Sequence, residues 1–353
     1  MQSEDVQSRD VMQAWRVHRA GAPTEVLELD VVPVPEPGPG EVRVRTIATA
    51  LNFNEVDGCR GRYLTVNPPL PYILGMEVLG VVDAAGPGAE AWIGRRVMAT
   101  AIGAFGAHAE KVLAPVEMVF DAPPDLSDAE AAAFFFPFHL AYLGLHTRGN
   151  VRPGEWVMVH AAAGGIGSAA VQLAAAAGAH VIATAGGPQK LALCRELGAE
   201  VAIDYRAGEF APEVMEATGG RGVDVVFDTV GGEVATQSLT CLAWGGRHLV
   251  VGFSAGIEEE DRAGIMPRPL CFGSVSLVGV MLSYQADGEP RPFPGINRTD
   301  RSVGDAVQRD LERHLADGLI RPVVGRQVSF EELPAALEDM EQRRTTGRTI
   351  VMW

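Results

Sequence analysis

Residues 156–190 read "WVMVHAAAGGIGSAAVQLAAAAGAHVIATAGGPQK". An apolar run, a glycine turn, a helix of small residues and a second apolar run stand in the order of a dinucleotide-binding βαβ unit. Gly164 lets backbone approach a pyrophosphate, and Gly167 lets the helix pack close on its strand. The helix N-terminus adds free N–H groups and partial positive charge for phosphates, so Ala163, Gly164, Gly165, Ile166 and Gly167 are the predicted contacts. Ala162 stands where the first glycine of G-x-G-x-x-G belongs, which is tolerable if that position keeps an ordinary negative φ. A ligand-free structural turn is the alternative reading. The turn follows a strand, opens a helix and starts a six-strand series, which favours the nucleotide.

NAD sites place an acid at the end of the second strand, about 20 residues on from the turn, to bind the ribose 2′-hydroxyl. Here that strand ends in Ala185-Gly186-Gly187. Small residues leave room for a 2′-phosphate, whose charge of about −1.5 to −2 calls for cations or donors. Lys190 in the first turn of the next helix, and Tyr205 with Arg206 after the third strand, are placed to supply them. Each cation alone reads equally as a solvated surface charge. Together with Gly186 they predict NADPH.

The elements that must hold these residues fall into two styles. From Met12 to about Ala122, short valine-rich segments are punctuated by Pro and Gly, the pattern of a β-rich lobe and a distorted barrel. From about residue 123, "DLSDAEAAAFFFPFHLAYLGLHTRG" is strongly helical, with Ser127 at the N-cap and Glu130 three residues later. Strands are then expected near 156–161, 180–185, 200–205, 223–230, 247–253 and 274–282. Continuous apolar runs such as "VDVVFDTV" suit a parallel sheet covered on both faces, hence a doubly wound α/β domain. The last 50 or so residues do not extend the alternation and are expected to complete the first lobe.

Bulk properties narrow the partners. With 353 residues the chain is long enough for two cores. A formal charge of −16 opposes extended contact with phosphate backbones, so no nucleic-acid partner is expected. Cys59, Cys194, Cys241 and Cys271 show no paired spacing, which argues against a disulfide framework or a C-x-x-C metal site. The acidic N-terminus does not read as a signal peptide, and no uninterrupted apolar run of about 20 residues appears, so a soluble cytoplasmic protein is expected.

Motifs in the chain's order give a resemblance to the medium-chain dehydrogenase/reductase superfamily, in its zinc-independent quinone oxidoreductase and enoyl reductase branch. They are "MQAWRVHRAGAPTEVLEL", "LNFNEVDGCRGRY", "LGMEVLGVV", "VRPGEWVMVHAAAGGIGSAAVQLA", "GVDVVFDTVGG" and "GGRHLVVGF". The resemblance implies a Rossmann domain inserted in a GroES-like catalytic lobe: residues 1–125 as the N-terminal part of that lobe, 126–300 as the nucleotide domain and 301–353 as the return. It implies no catalytic metal, because Gly75-Met76-Glu77 stands where zinc members carry Gly-His-Glu and a thioether is a poor zinc ligand. Cys59, His139 and His146 read more simply as packing residues or a loop thiol.

The resemblance further implies hydride transfer from NADPH to a quinone or to the C=C of an α,β-unsaturated carbonyl, where donors stabilise the enolate oxygen. Tyr63 matches a tyrosine implicated in proton delivery, or else only walls the pocket. Asn52 matches a common asparagine that orients substrate or nicotinamide, while Glu55 stands where relatives usually have Asp. Both are also readable as turn-stabilising residues. Phe253 and Ser254 match positions lining the nicotinamide, and Arg343 matches a C-terminal cofactor contact. Two other functions stay open: a reductase of enoyl thioesters on CoA or a carrier protein, and a crystallin-like nucleotide-binding structural protein. A homodimer is the family expectation, with the apolar "CFGSVSLVGVML" at a sheet edge.

Overall fold

The computed structural model describes residues 10–62, 68–255, 267–289 and 296–353. These form two compact units. One comprises the described residues among 10–132, 327–344 and 349–353, and the other the described residues among 133–326 and 345–348.

Period-two patterning builds the first unit. In β3 (Glu41–Ala50), Val42 and Val44 are fully buried while the arginines between and after them face outward, as the pleat requires. Antiparallel neighbours extend it: β5 (Glu77–Ala85), β6 (Arg96–Thr100), β7 (Lys111–Pro115) and β8 (Val119–Asp121). A second small sheet joins β1 (Val11–Val17), β2 (Leu27–Pro33) and β4 (Tyr72–Ile73). The helix α1 (Pro23–Val26) joins β1 to β2, and α2 (Phe53–Arg60) follows β3. The C-terminal segment packs here: Phe330, Leu333, Leu337 and Val351 share one core with Val17, Leu51 and Val56.

In the second unit, β9 (Trp156–Val159), β10 (His180–Ala185), β11 (Val201–Asp204), β12 (Val223–Asp228), β13 (Leu242–Val250) and β14 (Ser276–Gly279) form one sheet. Every pairing is parallel and the order is β11-β10-β9-β12-β13-β14, the doubly wound order expected of a dinucleotide fold. All six strands appear where the sequence places them. Every residue of β12 is buried, so its positions are apolar except Asp224 and Asp228, whose carboxylates accept from the Trp156 amide at 2.8 Å and meet His248 at 3.0 Å.

Two boundaries differ from the sequence reading. Ser127 and Glu130 do form the capping box, with the Glu130 carboxylate accepting from the Ser127 amide at 3.1 Å and hydroxyl at 2.6 Å. The helix it opens, α3 (Asp128–Ala132), ends early and belongs to the first unit, tied by Asp128 to Arg96 at 2.8 Å. A new helix, α4 (Phe135–Tyr142), starts afterwards because Pro137 lacks an N–H and its ring would clash with a continuous turn before it. Residues 301–326, expected with the first lobe, lie instead in the second unit. The helix Arg301–Ala316 buries Gly304, Val307, Gln308 and Leu311, a stripe at helical spacing. Against α4, Gln308 bonds His139 at 2.9 Å and Asp310 accepts from the Tyr142 hydroxyl at 2.6 Å.

Candidate functional site

All the predicted cofactor residues except Arg343 follow the carboxyl ends of strands of the second unit. After β9, the chain turns into α5 (Gly165–Ala176) with Gly164 as its N-cap. The left-handed position of this turn is Ala161, at φ 47°. Ala162 has no positive φ and is fully buried, so alanine is compatible with its place. Gly167 is required by a close approach: a Cβ there would lie 2.2 Å from the Ala161 carbonyl oxygen. The N–H groups of the first helical turn, including Gly165, Ile166 and Gly167, have no acceptor within the helix, so they suit phosphate oxygens.

After β10, Gly186 and Gly187 lead into α6 (Pro188–Glu196). A Cβ on Gly186 would meet the Tyr205 hydroxyl at 2.9 Å, and one on Gly187 the Arg206 guanidinium at 2.2 Å. Gly186, Gly187, Tyr205 and Arg206 therefore form one small-residue floor with a hydroxyl and a guanidinium over it. Lys190 sits half-buried in the first turn of α6. An acid that the sequence reading did not weigh, Asp204 at the end of β11, accepts from the Gly187 amide at 3.0 Å and from Arg206 Nε at 3.2 Å. The Arg206 hydrogen bond holds the Asp204 carboxyl below its usual range. Asp204 thus aims Arg206 across Gly187. These groups, small floor plus donors and cations, match the chemistry of a 2′-phosphate.

After β13, the exposed Phe253 and the neighbouring Ser254 follow, the Ser254 amide donating to the Thr229 carbonyl at 3.1 Å. The C-terminal segment contributes a residue that sequence reasoning missed. Gly347 bridges to Gly164 and donates to the Ala163 carbonyl at 2.7 Å, and the buried Arg348 lays its side chain over Gly165. Arg343, the sequence candidate, stands in the first unit with a left-handed φ of 58° just after the helix Leu333–Glu341. The sequence reading placed this cation at Arg343 and did not weigh Arg348.

In the first unit, Tyr63 lies outside the described residues. Asn52 is the N-cap of α2, 6% exposed, with no cap bond from its side chain. Its Nδ2 donates to the Ala50 carbonyl at 3.1 Å and to Glu55 Oε1 at 3.4 Å. Glu55 is wholly buried and accepts two more bonds, from the Met76 amide at 3.2 Å and from His108 Nε2 at 3.0 Å. His108 Nδ1 contacts Thr49 Oγ1 at 2.9 Å. Gly75 has no room for a side chain, since a Cβ would lie 2.5 Å from the His108 amide nitrogen. No sequence signal joined His108 to Glu55, because 53 residues separate them.

Met76 is buried and receives the Asn54 amide at its sulfur, 3.8 Å away. Burial, and then the nearby Glu55, push the Cys59 thiol up to about 12, which disfavours the thiolate a metal would need. Burial holds His139 down at about 3 between Tyr284 and Gln308. Burial also lowers His146. Among the described residues, His18, Glu28 and Asp30 come close enough to share an ion. Arg16 already meets Asp30 at 3.0 Å and Arg19 meets Glu28 at 3.3 Å, so cations match both carboxylates. No helix among the described residues is long and apolar enough to cross a membrane.

Comparison with known proteins completes the picture. A family model described as an alcohol dehydrogenase GroES-like domain matches residues 38–124, and one described as a zinc-binding dehydrogenase matches residues 165–291. The chain is 32% identical over 303 residues to a quinone oxidoreductase-like protein 2 homolog of Nematostella vectensis, covering 85% of this chain and 78% of that one. It resembles the quinone oxidoreductase of Escherichia coli solved as a complex with NADPH, with TM-score 0.84 and 29% identity over 97% of this chain and all of that one. It is also 37% identical over 233 residues, 65% of its length, to a phthioceranic/hydroxyphthioceranic acid synthase of Mycobacterium tuberculosis, of which it spans 11%.

Proposed function

Because the chain belongs to the quinone oxidoreductase branch of the medium-chain dehydrogenase/reductase superfamily, we propose that it reduces quinones or the C=C bond of α,β-unsaturated carbonyl compounds with NADPH. The observation that carries the cofactor is the 2′-phosphate floor of Gly186 and Gly187 under Tyr205 and Arg206, with Lys190 beside it. When bound, NADPH supplies hydride from the nicotinamide C4. The turn amides of Ala163 to Gly167 hold the pyrophosphate, Arg348 adds a cation over Gly165, and Phe253 and Ser254 flank the nicotinamide, with Arg343 a further contact.

For an enone, hydride enters the β-carbon, the π electrons move onto the carbonyl oxygen, and a proton then reaches the α-carbon or the oxygen. Tyr63 is the proposed proton donor, since a phenol is an ordinary general acid. The methionine at position 76 supports chemistry without zinc, which suits conjugated acceptors because they delocalise charge without a Lewis acid. A cytoplasmic homodimer completes the proposal. Among the described residues β14 ends the sheet with β13 as its one strand neighbour, and Trp244 and Phe272 are 86% and 82% exposed. A second copy of this edge would cover them.

The test follows NADPH and NADH oxidation with 1,4-benzoquinones, short enones and crotonyl-CoA, for wild type and Tyr63→Phe. Turnover with quinones or enones supports the proposal. Preference for crotonyl-CoA would favour an enoyl thioester reductase, a reading supported by the likeness to the synthase. Tight NADPH binding without turnover of any acceptor would leave a nucleotide-binding structural protein. Stoichiometric zinc in the purified protein would overturn the metal-free chemistry.

A further inference from the structure

We infer that Glu55, held by His108 and the Met76 amide, is a positioning residue that fixes the Asn52 amide with both N–H bonds turned into the protein. The inference rests on the reading of Asn52 as a ligand-facing residue. A carboxylate and a carbonyl oxygen can only accept hydrogen bonds. Asn52 has an acceptor of each kind on one end, Glu55 Oε1 at 3.4 Å and the Ala50 carbonyl at 3.1 Å, so that end is the nitrogen. The two N–H bonds are thereby committed. Asn52 is excluded as the donor to an enolate oxygen, and any bond it makes to a ligand is made through Oδ1 as an acceptor. The fitting ligand groups are N–H and O–H donors: a carboxamide, a hydroxyl or a hydroquinone, not an oxyanion.

Glu55 can enforce this because it is itself over-determined. Oε1 accepts from the Met76 backbone, which cannot rotate away, and Oε2 accepts from His108 Nε2. Since the carboxylate accepts, His108 carries its hydrogen on Nε2. The ring is fixed from behind by Thr49 and from the side by Gly75, whose missing Cβ makes room for it. Glu55 and His108 are both fully buried. Such a carboxylate would be a costly way merely to fill space, since apolar residues do so without desolvation.

The experiment joins a spectroscopic readout to kinetics. In wild-type protein with Asn side chains labelled with 15N, the Asn52 NH2 signal, assigned by its loss in Asn52→Ser, is expected to exchange slowly for both protons. In Glu55→Leu it should exchange at least about tenfold faster, and kcat/KM should fall roughly 10- to 100-fold, as expected for a misplaced contact group. Glu55→Gln keeps an acceptor toward Asn52 and Met76 while its own amide meets His108, which changes tautomer. It should restore slow exchange and kcat/KM to within about threefold, the difference between a charged and a neutral hydrogen bond. Fast exchange in wild type overturns the inference without any variant. Loss in Glu55→Gln equal to that in Glu55→Leu also overturns it, because the charge would then matter rather than the acceptor. So does a Glu55→Leu protein that melts earlier but keeps kcat and KM. If no acceptor is turned over at all, the functional proposal fails while the exchange readout still decides the orientation of Asn52.

Discussion

Gly167 and Gly186 are both glycines of the nucleotide edge, yet their substitutions should fail differently. Gly167→Ala puts a methyl group 2.2 Å from a backbone carbonyl that has nowhere to move. It is expected to cost about 2–4 kcal/mol of stability and to abolish saturable NADPH binding, as followed by thermal melts and fluorescence titration. Gly186→Asp meets instead the far end of the Tyr205 side chain, which can swing aside. The fold should survive while the new carboxylate repels the 2′-phosphate and accepts from a ribose hydroxyl. KM for NADPH should rise roughly 10- to 100-fold, the worth of one to two charged hydrogen bonds, and KM for NADH should fall. Measuring KM for both nucleotides checks this, and an unchanged ratio would mean that Gly186 does not face the ribose.

At the scale of elements, short local motifs hold what longer periodicity does not. The Ser127–Glu130 capping box opens α3, a helix of only five residues whose few internal bonds cannot sustain it alone. Ser127→Ala is expected to destabilise the protein by about 1 kcal/mol, read as a lower denaturant midpoint with activity intact. The same helix shows how far the sequence was legible. Its start could be read from two residues, but its end could not, because Pro137 interrupts a stretch whose composition is helical throughout. The parallel strands were legible because their central members are mostly buried and carry apolar runs, β9 as Trp156–Val159 and β10 as His180–Ala185. The helix Arg301–Ala316 was misassigned to the first lobe because its buried stripe says only that it packs, not against what.

For the whole molecule, buried histidines set the acid limit. Burial depresses His139 to about 3 and His160 to about 4, against about 6.5 in an unfolded chain. Between these values the unfolded chain binds more protons than the folded one, so stability is full above about pH 6.5 and is lost as the pH falls toward 3–4. Asp228 acts in the same sense at lower pH. Its burial raises the carboxyl, but the His248 hydrogen bond and the charges of His160 and His248 hold it below its usual range. The melting temperature is expected to be lower at pH 5 than at pH 7.5. His139→Gln should melt earlier at pH 7.5 but lose less between the two, and an equal loss would remove His139 from the account. Association is tested at the same scale: the wild type is expected to scatter light as a dimer of its 37.5 kDa chain, and Trp244→Asp with Phe272→Asp as a monomer.

What the sequence by itself determined is what neighbours along the chain determine. The glycine turn, the missing acid after β10 and the apolar strands are local patterns, and together they specify a dinucleotide fold with room for a 2′-phosphate. What tertiary structure decided depends on residues far apart in the chain. Asp204 aims Arg206 across Gly187 from another strand, Arg348 reaches Gly165 from 183 positions away, and His108 meets Glu55 in a site closed to water. Hydrogen bonds are directional and short, so which donor faces which acceptor is settled only when the strands carrying them are paired in register.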